Sequence, residues 1–240
     1  MNDILVSVLL PTRKRTHLAY RSIDSLLTLS SDPSRVEIIT AYDDDDIDSR
    51  DYFKNTEWQG LIQHYNAHNQ NLQCPRWGYQ GLNKYYTTMA QKAHGRWLMI
   101  WNDDAVMLSR GWDERIKDNA DFVGMMHMTT TNFKPNLTLF PLIPKIWLDL
   151  FGAISLHQLN DSWIQDICHE AGAVCEIPVN VFHDRFDVTG NNLDTTYENR
   201  SYNKKLYNHE TMKEVRSRWA QHLKHYREQT SACAPTLLQI

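Results

Sequence analysis

Two acidic stretches carry the groups most able to do chemistry. Asp43, Asp44, Asp45 and Asp46 form an unbroken run after the apolar segment VEIIT, and Asn102-Asp103-Asp104 follows the apolar segment RWLMIW. Like charges in a row repel, so each run needs solvent, a cation or a hydrogen-bonding ligand to settle it. A solvated turn, a metal site and a ligand-reading edge are all consistent with the first run. A third stretch, Pro11-Thr12-Arg13-Lys14-Arg15, places three bases straight after another apolar segment.

The segments before these groups explain why they belong together. Residues 4–10, ILVSVLL, lack strict alternation, as expected of a strand buried on both faces. Leu18, Ile23, Leu26 and Leu27 fall near helical spacing and predict a helix over 16–29. VEIIT predicts a second strand, and the polar stretch 51–75 offers only LIQHYNA as a short strand. A glycine-led loop and a helix ending near Gly95 come next, followed by RWLMIW as a strand, a short helix in SRGWDERIKDNA and a strand in DFVGMMHM. Strands alternating with helices predict an α/β fold with a mostly parallel central sheet flanked by helices. Ligands of such sheets sit beyond the carboxyl ends of the strands. Three strands end in Pro11-Thr12-Arg13, Asp43–Asp46 and Asn102–Asp104, so their polar groups converge on one edge.

A nucleotide sugar would use such an edge in two ways. Its diphosphate is anionic and meets carboxylates only through a divalent cation, which prefers hard oxygen ligands. Its base and ribose need acceptors, which a carboxylate on a neighbouring strand end supplies.

Four blocks then resemble a known family in order and spacing: VSVLLPTRKRTHLAYRSIDSLL, VEIITAYDDDDIDS, GRWLMIWNDDAVMLSRGWDERI and LNDSWIQDICHEAGAVCEIPVNVFH. Together they are similar to the family 2-type nucleotide-sugar glycosyltransferases of the GT-A (Rossmann-like) fold, over about residues 4–183. The resemblance implies transfer of a sugar from a nucleotide sugar, a UDP-sugar first, to an acceptor hydroxyl, as a hexosyltransferase acts. By position it places Thr12 and Asp43 or Asp44 at the nucleoside, and Arg13 and Arg15 toward the diphosphate. Asn83 and Lys84 fall near the nucleotide. The family's D-x-D motif reads Asn102-Asp103-Asp104 here. That leaves Asp104 as the metal ligand, joined by His183 at the end of PVNVFH, with Asn102 and Asp103 beside the nucleotide sugar. The implied cofactor is Mn²⁺ or Mg²⁺. Asp161 matches the general base of inverting members, with Asn160 in place of their usual glutamate. A helix N-cap is the competing role for Asp161.

The implied domain layout is a GT-A domain over 1–190, with 1–105 as donor half and 106–190 as acceptor half, then a loop and basic helix over 191–240. From Arg200 to Glu228 there are eight Lys/Arg against three Glu, and Met212, Val215, Trp219, Leu223 and Tyr226 share one helical stripe. That reads as a C-terminal basic helical extension packed on the domain, with an anionic partner as the sharper alternative. Asp184, Arg185, Asp194 and Tyr197 are candidates for shaping acceptor choice, the acceptor being a glycan, a small molecule or a modified nucleobase.

Composition narrows the class. A net charge of −4 argues against a surface devoted to nucleic acid, and 42% hydrophobic content suffices for a sizeable core. No stretch reaches the ~18 apolar residues of a membrane span, and four scattered cysteines read as reduced thiols. A soluble, cytoplasmic protein is therefore expected. Two other functions compete. A sugar nucleotidyltransferase needs a glycine-rich loop after the first strand, which PTRKRTHL lacks. A degenerate nucleotide- or carbohydrate-binding module would explain why asparagine stands at 102 and 160.

Overall fold

The computed structural model describes residues 3–185, 189–190 and 205–232. The first apolar run forms β1 (Val6–Pro11), with every residue but Pro11 buried. A sharp turn leads to α1 (Thr16–Leu29), which buries Leu18, Ala19, Ser22, Ile23, Leu26 and Leu27 on one face. The chain continues through β2 (Val36–Asp43), α2 (Ile47–Tyr52), α3 (Thr56–His64), β3 (His68–Cys74), α4 (Leu82–Lys92), β4 (Trp97–Ile100) and β5 (Ala105–Met107). After these come α5 (Trp112–Lys117), β6 (Met125–Thr130), β7 (Leu142–Pro144), α6 (Ile146–Phe151), α7 (Asn160–Glu170) and β8 (Val174–His183), and then α8 (Glu210–Ala232).

The strands form one sheet in the order β3-β2-β1-β4-β7-β6-β8-β5. β3, β2, β1 and β4 run parallel, so Pro11, Asp43 and Ile100 all end on one edge. β7 and β5 enter antiparallel, and β6 pairs parallel with β8. Alternate residues of the buried strands serve opposite faces. Val8, Ile38 and Met99 pack with α1, Phe53, Trp58 and Trp112, whereas Leu9, Ile39 and Leu98 pack with α4, α7 and α8. This two-sided burial is why the strands read as continuous apolar runs. Gly95, just before β4, is fixed by close approach: a Cβ there would stand 2.5 Å from the Ser7 backbone nitrogen.

One expectation fails. LIQHYNA is not a strand: Leu61 and Ile62 lie in α3 with Trp58, all buried at helical spacing. Asn66, in the left-handed region, turns the chain out of this helix. The strand is the next segment, HNQNLQC, which among the described residues pairs only with β2, at the edge of the sheet. An edge strand covers little core, so its polar residues give no apolar pattern to read.

The C-terminal stripe packs as expected. Trp219 stacks on Phe151 at 4.4 Å and meets Trp163 edge-on at 5.4 Å. Arg216, buried on the same helix, lies 3.9 Å over the Tyr207 ring, donates to the Tyr207 carbonyl at 2.9 Å and pairs with Asp166 at 3.2 Å. Lys213, Arg218 and Lys224 form the exposed basic side. Arg200, Lys204, Asp194, Tyr197 and Cys233 lie outside the described residues. Among the described residues no helix is long and apolar enough to cross a membrane, and Cys74, Cys168 and Cys175 are free thiols.

At the opposite end of β2 from the acidic run, Glu37 is buried. It accepts from the Ser7 hydroxyl, from Gln70 Nε2 at 2.7 Å, and from His94 N and Nδ1 at 2.9 and 2.7 Å. Burial pushes its carboxyl up, but the His94 backbone and ring, then Ser7 and Gln70, outweigh that and hold it below the ordinary range. A depressed carboxyl stabilises the fold above its unfolded pKa, and the contribution is lost as pH falls through the folded value. Glu37→Gln is therefore expected to cost about 1–3 kcal/mol at neutral pH. Urea titrations should show the gap to wild type narrowing below about pH 4. A gap that widens on acidification would contradict this account.

Candidate functional site

The turn after β1 distributes three bases. Lys14 adopts a left-handed backbone (φ 53°), uncommon for a residue with a side chain. Its N–H is held by Asp46 Oδ2 at 2.8 Å and Ser49 Oγ at 3.3 Å. The flanking residues then diverge: Arg13 reaches the acids after β2, and Arg15 reaches those after β4.

The four aspartates do different work. Asp43 is buried and accepts from the Tyr85 hydroxyl on α4 and from Arg13 Nη1 at 2.7 Å. Burial, reinforced by Asp43, pushes the Tyr85 phenol up, so it remains a donor. Asp44 is exposed, does not line the cleft, and donates its backbone N–H to the Cys74 carbonyl at 2.8 Å. Asp45 is exposed and pairs with Arg13 and, at 3.1 Å, with Arg76. The hydrogen bond from Arg13 holds its carboxyl below the ordinary range. Asp46 is buried and caps α2, accepting from Ser49 N at 3.2 Å and Ser49 Oγ at 2.6 Å. The run is a set of pairings, two of them to Arg13, and a helix cap.

The second acidic stretch is tighter. Thr12 Oγ1 donates to Asp103 Oδ2 at 2.6 Å. Arg15 Nη2 lies 3.2 Å from Asp103 Oδ1 and 3.1 Å from Asp104 Oδ2. His183 Nε2 stands 2.8 Å from Asp104 Oδ1. The strand register makes this last contact: β5 pairs antiparallel with β8 so that Ala105 faces His183, and Asp184 N donates to the Asp104 carbonyl at 2.9 Å. Burial raises the Asp104 carboxyl, yet the bond from His183 and the charge of Arg15 prevail and bring it down to about 2. His183 Nδ1 is buried without a hydrogen-bond partner among the described residues, and the Phe140 ring meets the imidazole edge-on at 5.0 Å. Asn102 is placed by Tyr86, whose hydroxyl lies 3.0 Å from Asn102 Oδ1 and 2.9 Å from the Trp101 carbonyl.

Asp161 lies in the first turn of α7, one residue inside the helix. The N-cap position is Leu159, with no side-chain cap, so Asp161 is not the N-cap residue itself, although its carboxyl takes the Ser162 N–H of the same first turn. Its carboxyl sits deep among protein atoms while solvent still reaches it from the cleft. Burial raises it, against opposing contributions from the Ser162 N–H and from His183. Asn160 is buried and braces the loop before the helix, accepting from Ser155 Oγ at 2.6 Å and donating to the Gln158 carbonyl at 3.0 Å. A glutamate there would lack the second bond's donor. Asn83 donates to the Ser155 carbonyl of the same loop at 3.3 Å. Neither Asn83 nor the exposed Lys84 lines the cleft.

Thr12, Arg13, Arg15, Asp43, Asn102, Asp103, Asp104, Asp161 and His183 all line one cleft of about 720 Å³ at the carboxyl edge of the sheet. Sequence reasoning missed Arg76, Tyr85, Tyr86 and Gln158, which also line it. Tyr85 and Tyr86 sit on α4 among core residues, so nothing in their spacing marks their hydroxyls as site groups. Arg185 lines the cleft beside the Phe133 ring at 5.3 Å, and Asp184 is paired with Arg21 at 2.9 Å. Among the described residues, no three His, Cys, Asp or Glu side chains already surround one point as a metal cage.

No protein-family profile matches the sequence, and no curated protein matches it. Solved structures do. A mannosyltransferase from Pyrobaculum calidifontis, solved with GDP-mannose and Mn²⁺, aligns at TM-score 0.62 and 13% identity over 97% of this chain and 76% of its own. TarS 1–349 from S. aureus, solved with UDP, aligns at TM-score 0.57 and 10% identity over 85% and 71% of the two chains. Its UDP-GlcNAc complex aligns at TM-score 0.52 and 13% identity over 97% and 76%. The fold is therefore that of the GT-A glycosyltransferases.

Proposed function

We propose that this chain transfers a hexose from a nucleoside diphosphate sugar to an acceptor hydroxyl, with inversion. The observation that carries the reading is the gathering of Thr12, Asp103, Asp104, His183 and Asp161 in one cleft at the carboxyl edge of a GT-A sheet. UDP- and GDP-sugars are the donors to try first, being the ligands of the structural neighbours.

The residues present fit a divalent cation. Asp104 Oδ1 and His183 Nε2 are 2.8 Å apart. Two adjacent ligands, each about 2.2 Å from an ion, stand roughly 3.1 Å apart, so a small opening admits one. Asp104 and His183 would hold it, with Asp103 alongside. When bound, such an ion stabilises the departing diphosphate as a Lewis acid.

The remaining roles belong to this chain's own groups. The Asp43–Tyr85 pair would face the nucleoside, and Arg13, expected toward the diphosphate, is instead held to Asp43 beside it. Asp161 accepts the acceptor hydroxyl's proton as that oxygen bonds to the anomeric carbon, and the bond from that carbon to the β-phosphate oxygen breaks with its electron pair leaving on the phosphate. Burial raises its carboxyl, which makes it a better proton acceptor than an exposed aspartate.

The test is release of nucleoside diphosphate from a panel of UDP- and GDP-sugars with Mn²⁺, followed with and without a chelator. Release from at least one donor, abolished by the chelator, is expected. Binding of a nucleotide with no release from any donor, across a range of acceptors, would favour the binding-module reading instead.

A further inference from the structure

The oxygens of Asp103 and Asp104 are fully assigned. Asp103 Oδ2 takes the Thr12 hydroxyl, and Asp104 Oδ1 faces His183. The two oxygens left, Asp103 Oδ1 and Asp104 Oδ2, both face one nitrogen of Arg15, at 3.2 and 3.1 Å. The acids are nearly buried and Arg15 is only 20% exposed at its side chain, so this contact is poorly screened. A guanidinium thus sits against the acid pair at which a divalent cation would bind. Of the other arginines lining the cleft, Arg13 is engaged by Asp43 and Asp45, Arg76 by Asp45, and Arg185 lies over the Phe133 ring.

We infer that Arg15 is a resident counter-ion of Asp103 and Asp104 that competes with the divalent cation, and that a nucleoside diphosphate lets the cation in by drawing the guanidinium onto its phosphates. The inference rests on the metal-dependent reading above. Two positive groups cannot share the acid pair at close range without strong repulsion. A diphosphate offers the guanidinium a matching anion, with the planar geometry that Arg binds well. The turn around Lys14 is anchored by Asp46 and Ser49, so the backbone stays while the long Arg15 side chain moves. Cation and nucleotide then bind cooperatively, each raising the affinity of the other by the same factor. Arg15 acts as a positioning residue, since its effect on the cation runs through Asp103 and Asp104.

The experiment is a Mn²⁺ titration of the full chain, with free Mn²⁺ counted by electron paramagnetic resonance, with and without UDP or GDP. Without nucleotide, Arg15→Gln is expected to bind Mn²⁺ about tenfold more tightly than wild type. The enhancement of Mn²⁺ affinity by nucleotide should shrink in the variant. Arg15→Met, which keeps the aliphatic stem, should behave the same way and covers the case in which Arg15→Gln folds poorly. A merely structural arginine would lower metal affinity when removed. Unchanged or weaker Mn²⁺ binding in the variants, beside measurable binding in wild type, overturns the inference alone. No Mn²⁺ binding to any of the proteins, with nucleotide bound, overturns the metal-dependent reading and the inference with it.

Discussion

Asp161→Asn is expected to lower kcat by about 10²- to 10⁴-fold, with donor affinity changed by no more than about twofold. The substitution keeps the shape of the side chain and removes only its capacity to take a proton. Two further readouts separate a base from a structural acid. The wild-type rate should fall on the acidic side, with a limb above the ordinary carboxylate range, because burial raises the Asp161 carboxyl. Stability should move the other way. A raised folded pKa means that the native state holds the proton more tightly, so stability falls as pH rises through the window between unfolded and folded values. Asparagine has no charge to desolvate, and Asp161→Asn should melt at or above the wild-type temperature at neutral pH. Loss of donor binding in parallel with activity would contradict the assignment.

Asp104→Ala carries the second large effect, on binding and on stability together. It leaves His183 and Arg15 without the carboxylate they share. Removing one member of a buried charged cluster costs about 3–5 kcal/mol, or on the order of 10 °C in melting temperature for a chain of this size. The Asp104 carboxyl, held down to about 2, stabilises the fold above the ordinary aspartate range and loses that contribution as pH falls toward its folded value. The destabilisation by Asp104→Ala should therefore be full at neutral pH and shrink in acid. Asp104→Asn, keeping the volume, should fold better and still lose the Mn²⁺-dependent part of nucleotide binding. Calorimetric melts and nucleotide titrations of both variants check this. Retention of that Mn²⁺ dependence in both would remove Asp104 from the metal site.

How much of this was legible in the sequence depended on how each element meets the core. β1, β2 and β4 are buried on two faces, and their apolar runs announced them. α1 was readable to its ends because one face is wholly buried. β3 was hidden because an edge strand of His, Asn and Gln carries no apolar period, and β5 and β7 because three residues are too few to show one. At the site, the convergence of strand ends followed from topology alone. The approach of His183 to Asp104, 79 positions away, depends on the β5–β8 pairing, which no local pattern encodes. The acidic run looked like one feature and proved to be several. Its members are parted by the end of β2 at Asp43 and the start of α2 after Asp46, so neighbours in sequence face different partners. Arg15 was placed in the right turn, but its contact with Asp103 and Asp104 depends on the left-handed step at Lys14, which a lysine does not advertise.

The central claim is that this cleft holds a nucleoside diphosphate together with a divalent cation. The most direct measurement is the melting temperature of the wild-type chain with UDP and with GDP, each in the presence of Mn²⁺ and of a chelator. A ligand at 100 times its Kd adds about 2.7 kcal/mol, which for a chain of this size raises the melting temperature by roughly 5–10 °C. A rise of that order with at least one nucleotide, present with Mn²⁺ and largely lost with the chelator, is the expected result. No rise with either nucleotide in either condition would contradict the assignment of the cleft.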